Sequence, residues 1–492
     1  CRSPKLCRAP PNCWQPPWGV PCEPAPAKIL LAKSLRRFQK PRHMSRRSLV
    51  KISLGTIAVS ALVLALGCAS KPTKAATNPA VPATAQPAAP PEKLPRVMLG
   101  IDVLEADNFA AVAGKKIGLL THPAGVNRRG ESTLNVLRRA PKTRLVALFA
   151  PEHGFEGQIK AGDNFNDTVH TATGLPVYSL HGKNRKPTPK QLQGLDALVI
   201  DLQDIGVRSY TFNVVMRHAM DACFQYGVEV IVLDRPNPLG GLKVDGPPLD
   251  PENMSGVGAF PRMPYVHGLT IGEIARVAKE GSRAISGMEL TEKVRAKGKL
   301  TVIPLRGWSR HMRWPDTELK WATTSPYIGS YEAVVGYAMV GLGTQNSGWS
   351  WGIGRDYPFR GIGFPKKSPD EIIQAMKADK IPGLSFVKRS GSGSDGKPMT
   401  GVYVEVADWE KWNPTELSFY MHQQAAKWTR LNPFATLTTD EARSFKIHVG
   451  SSAWLAALQR EGARVDVGSF LKNWSERAKI YQDQTKKFWL YP

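Results

Sequence analysis

The chain has 492 residues, is 42% hydrophobic and carries a formal charge of +25. That length exceeds one ordinary domain, and the apolar content supports a real buried core rather than a solvated, disordered chain. Residues 1–67 hold twelve Lys/Arg against one acid, Glu23, and without them the charge is +14. No Lys/Arg run with interleaved aromatics remains, so nucleic-acid binding is set aside in favour of a basic envelope protein acting on an anionic polymer.

Residues 1–43 read as translated upstream sequence ahead of Met44. They contain Cys1, Cys7, Cys13 and Cys22 in a Pro-rich setting. A small disulfide or metal knot is the competing reading, but the spacings match no zinc pattern. Residues 44–68 have the parts of an export signal. Ser45-Arg46-Arg47-Ser48-Leu49-Val50-Lys51 resembles a twin-arginine motif, and Ile52–Leu66 is an apolar stretch shorter than the about 20 residues a membrane span needs. Leu64-Ala65-Leu66-Gly67-Cys68 looks like a lipobox, predicting lipidation of Cys68 and an exported, periplasmic or cell-envelope lipoprotein. Ordinary signal-peptidase cleavage nearby is the alternative. Residues 69–95 are Ala/Pro/Thr-rich and cannot bury enough apolar area to offset ordering entropy, so they read as a tether. Cys223 is then the one cysteine left in the body, as suits an oxidising compartment.

From Arg96 strands and helices alternate. Lys115–Leu120, Arg144–Ala150, Val177–Leu180, Leu195–Leu202 and Val228–Leu233 are predicted strands. Ser132–Arg139 and Phe212–Tyr226 are predicted helices, the second with Val215, Ala219, Ala222 and Cys223 along one stripe. The pattern predicts an α/β class, with a Rossmann-like, largely parallel sheet over residues 96–305. No GxGxxG or GxxxxGK[ST] follows the first strand, and Gly348-x-x-x-Gly352-x-Gly354 reads as turn chemistry, so no cofactor is expected. Residues 306–492 are expected to form a smaller α+β domain closing over the first. It is Trp-rich at its start, has a Gly/Ser-rich loop at Ser390–Asp395, strands at Gly401–Val406 and Phe445–Val449, and helices over 416–429, 452–461 and 469–487. Tryptophans near a cleft suit sugar stacking, while core and interface filling is the stronger reading for any single one.

Three polar clusters follow apolar runs: Pro151-Glu152-His153-Gly154, Asp201-Leu202-Gln203-Asp204 and Asp234-Arg235-Pro236-Asn237. In a parallel sheet all of these strand ends reach one edge, where ligands bind. Glu152, fixed between Pro151 and His153, is the candidate general acid, with burial expected to raise its pKa; a surface ion pair is the plainer reading. Glu156 reads as an exposed partner of Lys160. Arg208 is either a fork for a substrate carboxylate or a structural partner of Asp204, and Tyr210 follows it. Asp234, Arg235 and Asn237 are placed to hydrogen-bond sugar hydroxyls, or else form a self-satisfied turn. His122, His153, His181 and His267 show neither HExxH nor HxH spacing, so no metal is expected, and serine catalysis lacks a GxSxG elbow.

These clusters in this order resemble the NamZ-like exo-β-N-acetylmuramidase family, long catalogued as a domain of unknown function. The stretches are PheAlaProGluHisGlyPhe (149–155), ProValTyrSerLeu (176–180), AspLeuGlnAspIleGlyValArgSerTyrThr (201–211), LeuAspArgProAsnProLeuGlyGly (233–241), HisGlyLeuThrIleGlyGlu (267–273) and PheTrpLeuTyr (488–491). The resemblance implies a site between two domains and release of terminal β-linked N-acetylmuramic acid from peptidoglycan fragments, in cell-wall turnover. It makes Glu152 the catalytic carboxylate. Asp201 is its expected catalytic companion, and His153, Tyr178, His181, Gln203, Asp204, Arg208, Tyr210, Asp234, Arg235, Asn237 and His267 are expected to bind substrate. Two departures stand out. The family's SerLeuTyrGly is Ser179-Leu180-His181-Gly182 here, and the Glu of its GluGlyThrAsn is Leu342. The alternative function is therefore a non-catalytic muropeptide-binding lipoprotein; an esterase or amidase fits less well. Nothing in the residues speaks to oligomeric state.

Overall fold

Ten strands and thirteen α-helices are set out in a computed structural model that describes residues 97–393 and 395–492. The export signal, Cys68 and the Ala/Pro-rich segment lie outside the described residues. Helix α1 (Gly100–Ala106) leads into β1 (Lys116–Thr121). Helix α2 (Thr133–Arg138), capped by the Ser132 hydroxyl, connects to β2 (Arg144–Ala150). Short β3 (Thr168–Val169) and β4 (Pro176–Ser179) follow, then α3 (Pro189–Leu192), β5 (Ala197–Asp201), α4 (Thr211–Gln225) and β6 (Glu229–Leu233). Helices α5 (Ile271–Glu280), α6 (Arg283–Ser286) and α7 (Glu292–Lys297) precede β7 (Leu300–Ile303). The sheet order is β3-β4-β2-β1-β5-β6-β7, parallel throughout except that β3 runs antiparallel to β4.

The side-chain alternation of the strands divides the core in two. Leu120, Phe149, Leu198, Ile200, Val230 and Val232 face α4, α5 and the C-terminal elements. Ile117, Leu119, Leu148, Val199, Ile231 and Leu233 face α1, α2, Trp308 and Tyr491. Covered on both faces, β5 is buried at every position, which is why its sequence is a continuous apolar run rather than an alternating one.

Beyond β7, α8 (Tyr331–Val340) leads to a three-stranded antiparallel sheet of order β8-β10-β9. It is built from β8 (Gly361–Ile362), β9 (Leu384–Ser392) and β10 (Pro398–Val406), with α9 (Pro369–Ala378) between the first two. Helices α10 (Glu416–Trp428), α11 (Thr439–Val449), α12 (Ser452–Glu461) and α13 (Val467–Thr485) complete the described chain.

Two expectations are corrected here. Phe445–Val449 is the last part of α11, not a strand. Phe445, Ile447 and Val449 alternate like a strand, but Thr438 and Glu441 form a capping box that starts a helix, and Phe445, His448 and Val449 are buried with helical spacing. The Gly/Ser-rich stretch begins inside β9, which pairs with β10 as far as Ser392↔Pro398. The tryptophans serve mainly as core: Trp308 meets Tyr491 edge-on, Trp314 meets Trp321, and Trp349 is buried with Phe364 and Trp428.

Candidate active site

At the carboxyl ends of the central strands the expected polar residues do converge, but most of them saturate one another. Asp201, fully buried at the end of β5, accepts from Arg235 Nε at 2.5 Å and Nη2 at 2.9 Å, and from the Thr133 hydroxyl. Asp234 receives Gly272 N–H at 2.7 Å, its neighbour Arg235 N–H at 2.9 Å, Thr270 Oγ1 at 2.8 Å and the Tyr491 hydroxyl at 2.5 Å. Burial raises its carboxyl above the ordinary range, against those donors. Asn237 donates to Leu269 O and accepts from Leu239 N–H. Gly206, at φ 83°, brings its α-carbon so close that an added β-carbon would lie 2.4 Å from Asn237 Oδ1. Asp204 takes Gly206 N–H at 2.7 Å and Asn213 Nδ2 at 3.2 Å, with His267 Nε2 3.3 Å away. Gln203 donates to Asp204 O and Pro236 O, and its own N–H is bound by His122 Nε2 at 3.0 Å. The crevice between β1 and β5, where strand order reverses, is thus filled by the protein's own side chains.

The geometry overturns several expected roles. Asp201, expected to be the catalytic companion, does not line the Glu152 pocket described below and is held instead by Arg235 and Thr133. Arg208 neither awaits a ligand nor pairs with Asp204. Fully buried, it donates to the carbonyls of Pro247, Met263, His448 and Val449 at 2.8–3.1 Å and thereby ties the loop after β5 to the end of α11. Burial lowers its guanidinium to about 10. Tyr210 is buried between Phe212 and Tyr337. Asp234, Arg235, Asn237, Gln203, Asp204 and His267 are likewise closed in by protein partners rather than presented to a ligand. Tyr178, on β4, packs half-buried against Phe149.

Glu152 is held differently. Beyond β2 the chain turns through His153 (φ 73°) and Gly154 (φ 76°), and the His153 ring donates from Nδ1 to Ile159 O at 2.7 Å. That left-handed backbone at a non-glycine residue is strain of the kind found at functional sites. The turn aims Glu152 at the start of α4, where the Thr211 hydroxyl donates to Oε2 at 2.8 Å while Gly162 N–H donates to Oε1 at 3.0 Å. Thr211, Val214, Val215 and His218, spaced i, i+3, i+4 and i+7, present one face of α4 to a pocket. Glu152, Leu180, His181, Arg185 and Gly256 complete its lining. Its cavity volume of about 20 Å³ takes a water-sized group rather than a sugar ring.

The electrostatics reverse the expectation for Glu152. Burial alone would raise its carboxyl, but the nearby His181 and His153 and the hydrogen bonds from Gly162 and Thr211 outweigh it and hold the group below the ordinary range. Glu152 is therefore a carboxylate at neutral pH, and its place at the positive end of α4 favours the same form. His181 is lowered mainly by burial, against the attraction of Glu152, and His218 is lowered to about 3 by burial and Arg217. Tyr337 and His448, from the C-terminal part of the chain, are close enough to feel the Glu152 charge. Yet every residue lining the pocket itself lies between 152 and 256. Glu156 is 3.7 Å from His170, not paired with Lys160. Leu342 lies in the core, and its carbonyl accepts from His422 Nε2 at 2.9 Å.

Sequence reasoning missed Thr211, Gly162, Arg185, His218 and Gly256. Thr211 alone carried a signal, as the residue that opens a helix after a polar cluster. Among the described residues one His/acid group has metal-like proximity, His218 with Asp221 and Glu289. Its acids are already bound by Arg217 and Lys186, at 2.7 Å for Arg217–Asp221 and 2.5 Å for Lys186–Glu289, so the donor set fits internal cations rather than a metal.

The described chain is thus an α/β protein whose largely parallel sheet sets a loop carboxylate, Glu152, against the N-terminus of α4. Residues 117–332 match the family described as exo-beta-N-acetylmuramidase NamZ, N-terminal, and residues 335–491 match its C-terminal counterpart. The chain belongs to this NamZ family. It is 38% identical over 323 residues to the peptidoglycan beta-N-acetylmuramidase NamZ of Bacillus subtilis (strain 168), covering 65% of this chain and 75% of that protein. Crystal structures of two DUF1343 family proteins from Bacteroides fragilis NCTC 9343 are similar. One is 32% identical with a TM-score of 0.71, covering 81% of this chain and 100% of the other; the second is 25% identical with a TM-score of 0.62, covering 80% and 99%.

Proposed function

We propose that the protein is an exo-acting glycoside hydrolase that releases terminal β-linked N-acetylmuramic acid from peptidoglycan fragments, and that Glu152 is its reacting group. The observation that carries this reading is the Glu152 pocket, with its strained approach, two fixed hydrogen-bond donors and lack of an ion-pair partner. The small cavity suits a chain end, whose sugar lies at the mouth while one reacting group reaches Glu152. Hydrolysis places a proton on the leaving oxygen and the hydroxyl of water on the anomeric carbon. Glu152 is ionised in the free protein. A bound sugar displaces water and brings its own carboxylate close, and both changes raise the group toward the protonated form a general acid needs.

Glu152 is the one carboxylate lining the pocket. We therefore assign the second function to the substrate's 2-acetamido oxygen, a substrate-assisted route that retains anomeric configuration. The non-catalytic alternative has no comparable support, since Leu342 belongs to the core. The test is release of free N-acetylmuramic acid from a β-linked muramoyl-glucosamine disaccharide. A protein that binds this disaccharide but never turns it over contradicts the reading.

Its cellular setting follows the export signal. We propose that Cys68 is lipidated, that residues 69–95 tether the enzyme to an envelope membrane, and that its products enter cell-wall recycling. Radiolabelled fatty acid incorporated by the wild type and absent from Cys68→Ala would support the anchor. A wild-type protein that takes up no label would remove it.

A further inference from the structure

Arg208, the residue expected to meet the substrate's carboxylate, is consumed by four backbone carbonyls. The charge a muramoyl ligand needs must come from elsewhere. Four ionisable side chains line the Glu152 pocket: Glu152, His181, Arg185 and His218. Both histidines are lowered, chiefly by burial, and are neutral at pH 7. The fixed cation of the pocket is therefore Arg185.

Arg185 differs from the arginines around it. Arg217 and Arg235 are locked to acids, and the adjacent Lys186 is paired with Glu289 at 2.5 Å. Among the described residues Arg185 makes no hydrogen bond or ion pair, and its side chain is exposed on the rim. A second observation is where it sits, with its guanidinium laid against Gly256. A β-carbon on Gly256 would fall 1.5 Å from Arg185 Nη1 and 2.5 Å from Cζ. Gly256 is not among the glycines of positive φ, so its backbone would accept another residue. A side chain at 256 would therefore have to push the guanidinium aside from its present seat.

We infer that Arg185, seated on Gly256, binds the lactyl carboxylate of the terminal muramoyl sugar and so selects it over the corresponding glucosaminyl sugar. This inference rests on the proposed reading of the pocket. N-acetylmuramic acid differs from N-acetylglucosamine by one O-lactyl ether, whose carboxylate matches the two-pronged donor geometry of a guanidinium. The anion so placed stands beside Glu152 and favours its protonation only while substrate is bound.

The test compares wild type, Arg185→Gln, Arg185→Lys and Gly256→Ala on a chromogenic β-N-acetylmuramide and the matching β-N-acetylglucosaminide. Arg185→Gln should cut the muramide-to-glucosaminide ratio of kcat/KM by about 10- to 100-fold, mostly through KM. Arg185→Lys should recover part of the ratio, and Gly256→Ala, which leaves the arginine present but displaced, should lower it. An unchanged ratio in Arg185→Gln overturns the inference while leaving the hydrolase reading intact. If the wild type cleaves no muramide, the hydrolase reading fails and titration calorimetry decides this one. Preference for N-acetylmuramic acid over N-acetylglucosamine that disappears in Arg185→Gln supports it, and equal preference in both proteins overturns it.

Discussion

Asp201 ends β5 and Glu152 follows β2, two strands separated by β1 in the same sheet, and both are carboxylates placed at its carboxyl edge by apolar runs. Their surroundings differ in kind. Asp201 is fully buried and meets a guanidinium that grips both of its oxygens, together with a hydroxyl. Glu152 meets a hydroxyl, one backbone N–H and the nearby imidazoles of His181 and His153, with a cavity on its remaining side. The first arrangement joins β5, β6 and α2 into one body; the second leaves a charge that can react. Position on a sheet edge offers a carboxylate either fate, and the neighbouring cations decide between them.

The comparison can be broken first at the buried pair. Arg235→Ala would leave Asp201 charged and unpaired in the core, and should cost about 3–5 kcal/mol of folding stability, read as the denaturation midpoint. Replacing both partners with apolar residues of similar volume should recover much of that loss. If Arg235→Ala unfolds at the wild-type midpoint, the closed network is not what holds the edge together.

A smaller effect is expected from the substrate. A muramide carrying N-trifluoroacetyl in place of N-acetyl has a weaker acetamido nucleophile and should react about 10- to 100-fold more slowly, at similar KM. An equal rate would show that a protein group, not the substrate, attacks the anomeric carbon.

Two pH dependences sharpen the contrast further. The folded pKa of Glu152 is depressed, so its contribution to stability is present above the unfolded value and is lost as pH falls through the folded one. A general acid reacts only when protonated, so kcat/KM, which reports the free enzyme, should fall as pH rises through that depressed value, and this limb should vanish in Glu152→Gln together with the activity. His218 is also depressed, to about 3, so the folded state resists its protonation. Its share of stability is intact above the unfolded value near 6.5 and drains away as pH falls toward 3. Thermal midpoints between those limits should decline less steeply in His218→Asn than in wild type. Parallel declines would mean the imidazole is better solvated than the pocket implies.

Much of the sheet was legible because its strands are short apolar runs, and β1, β2, β4, β5 and β6 lie within two residues of where those runs predict them. The convergence of the strand-end clusters also follows from sheet topology. What periodicity could not supply was the partner of each polar group. Arg208 is satisfied by carbonyls of residues 448 and 449, a pairing with no local trace. The direction of the Glu152 shift was misread because burial is visible from a strand end, whereas what outweighs it comes from His181 and His153 together with the donors Gly162 and Thr211. Arg185 was passed over because its place on the pocket, against a glycine 71 positions away, leaves no local trace. Phe445–Val449 shows the same limit locally, since its alternation is strand-like and only the cap at Thr438 marks it as helix.

The central claim is that one edge of this sheet holds a structural carboxylate and a reacting one, and a side-by-side measurement of Glu152→Gln and Asp201→Asn tests it most directly. Turnover of the muramoyl disaccharide per folded molecule and the unfolding midpoint should separate the two variants. Glu152→Gln should lose about 10²- to 10⁴-fold in kcat with a near-native midpoint, while Asp201→Asn should lose about 3 kcal/mol of stability and keep its turnover. Full turnover in Glu152→Gln, or loss of turnover in a stably folded Asp201→Asn, would contradict the account.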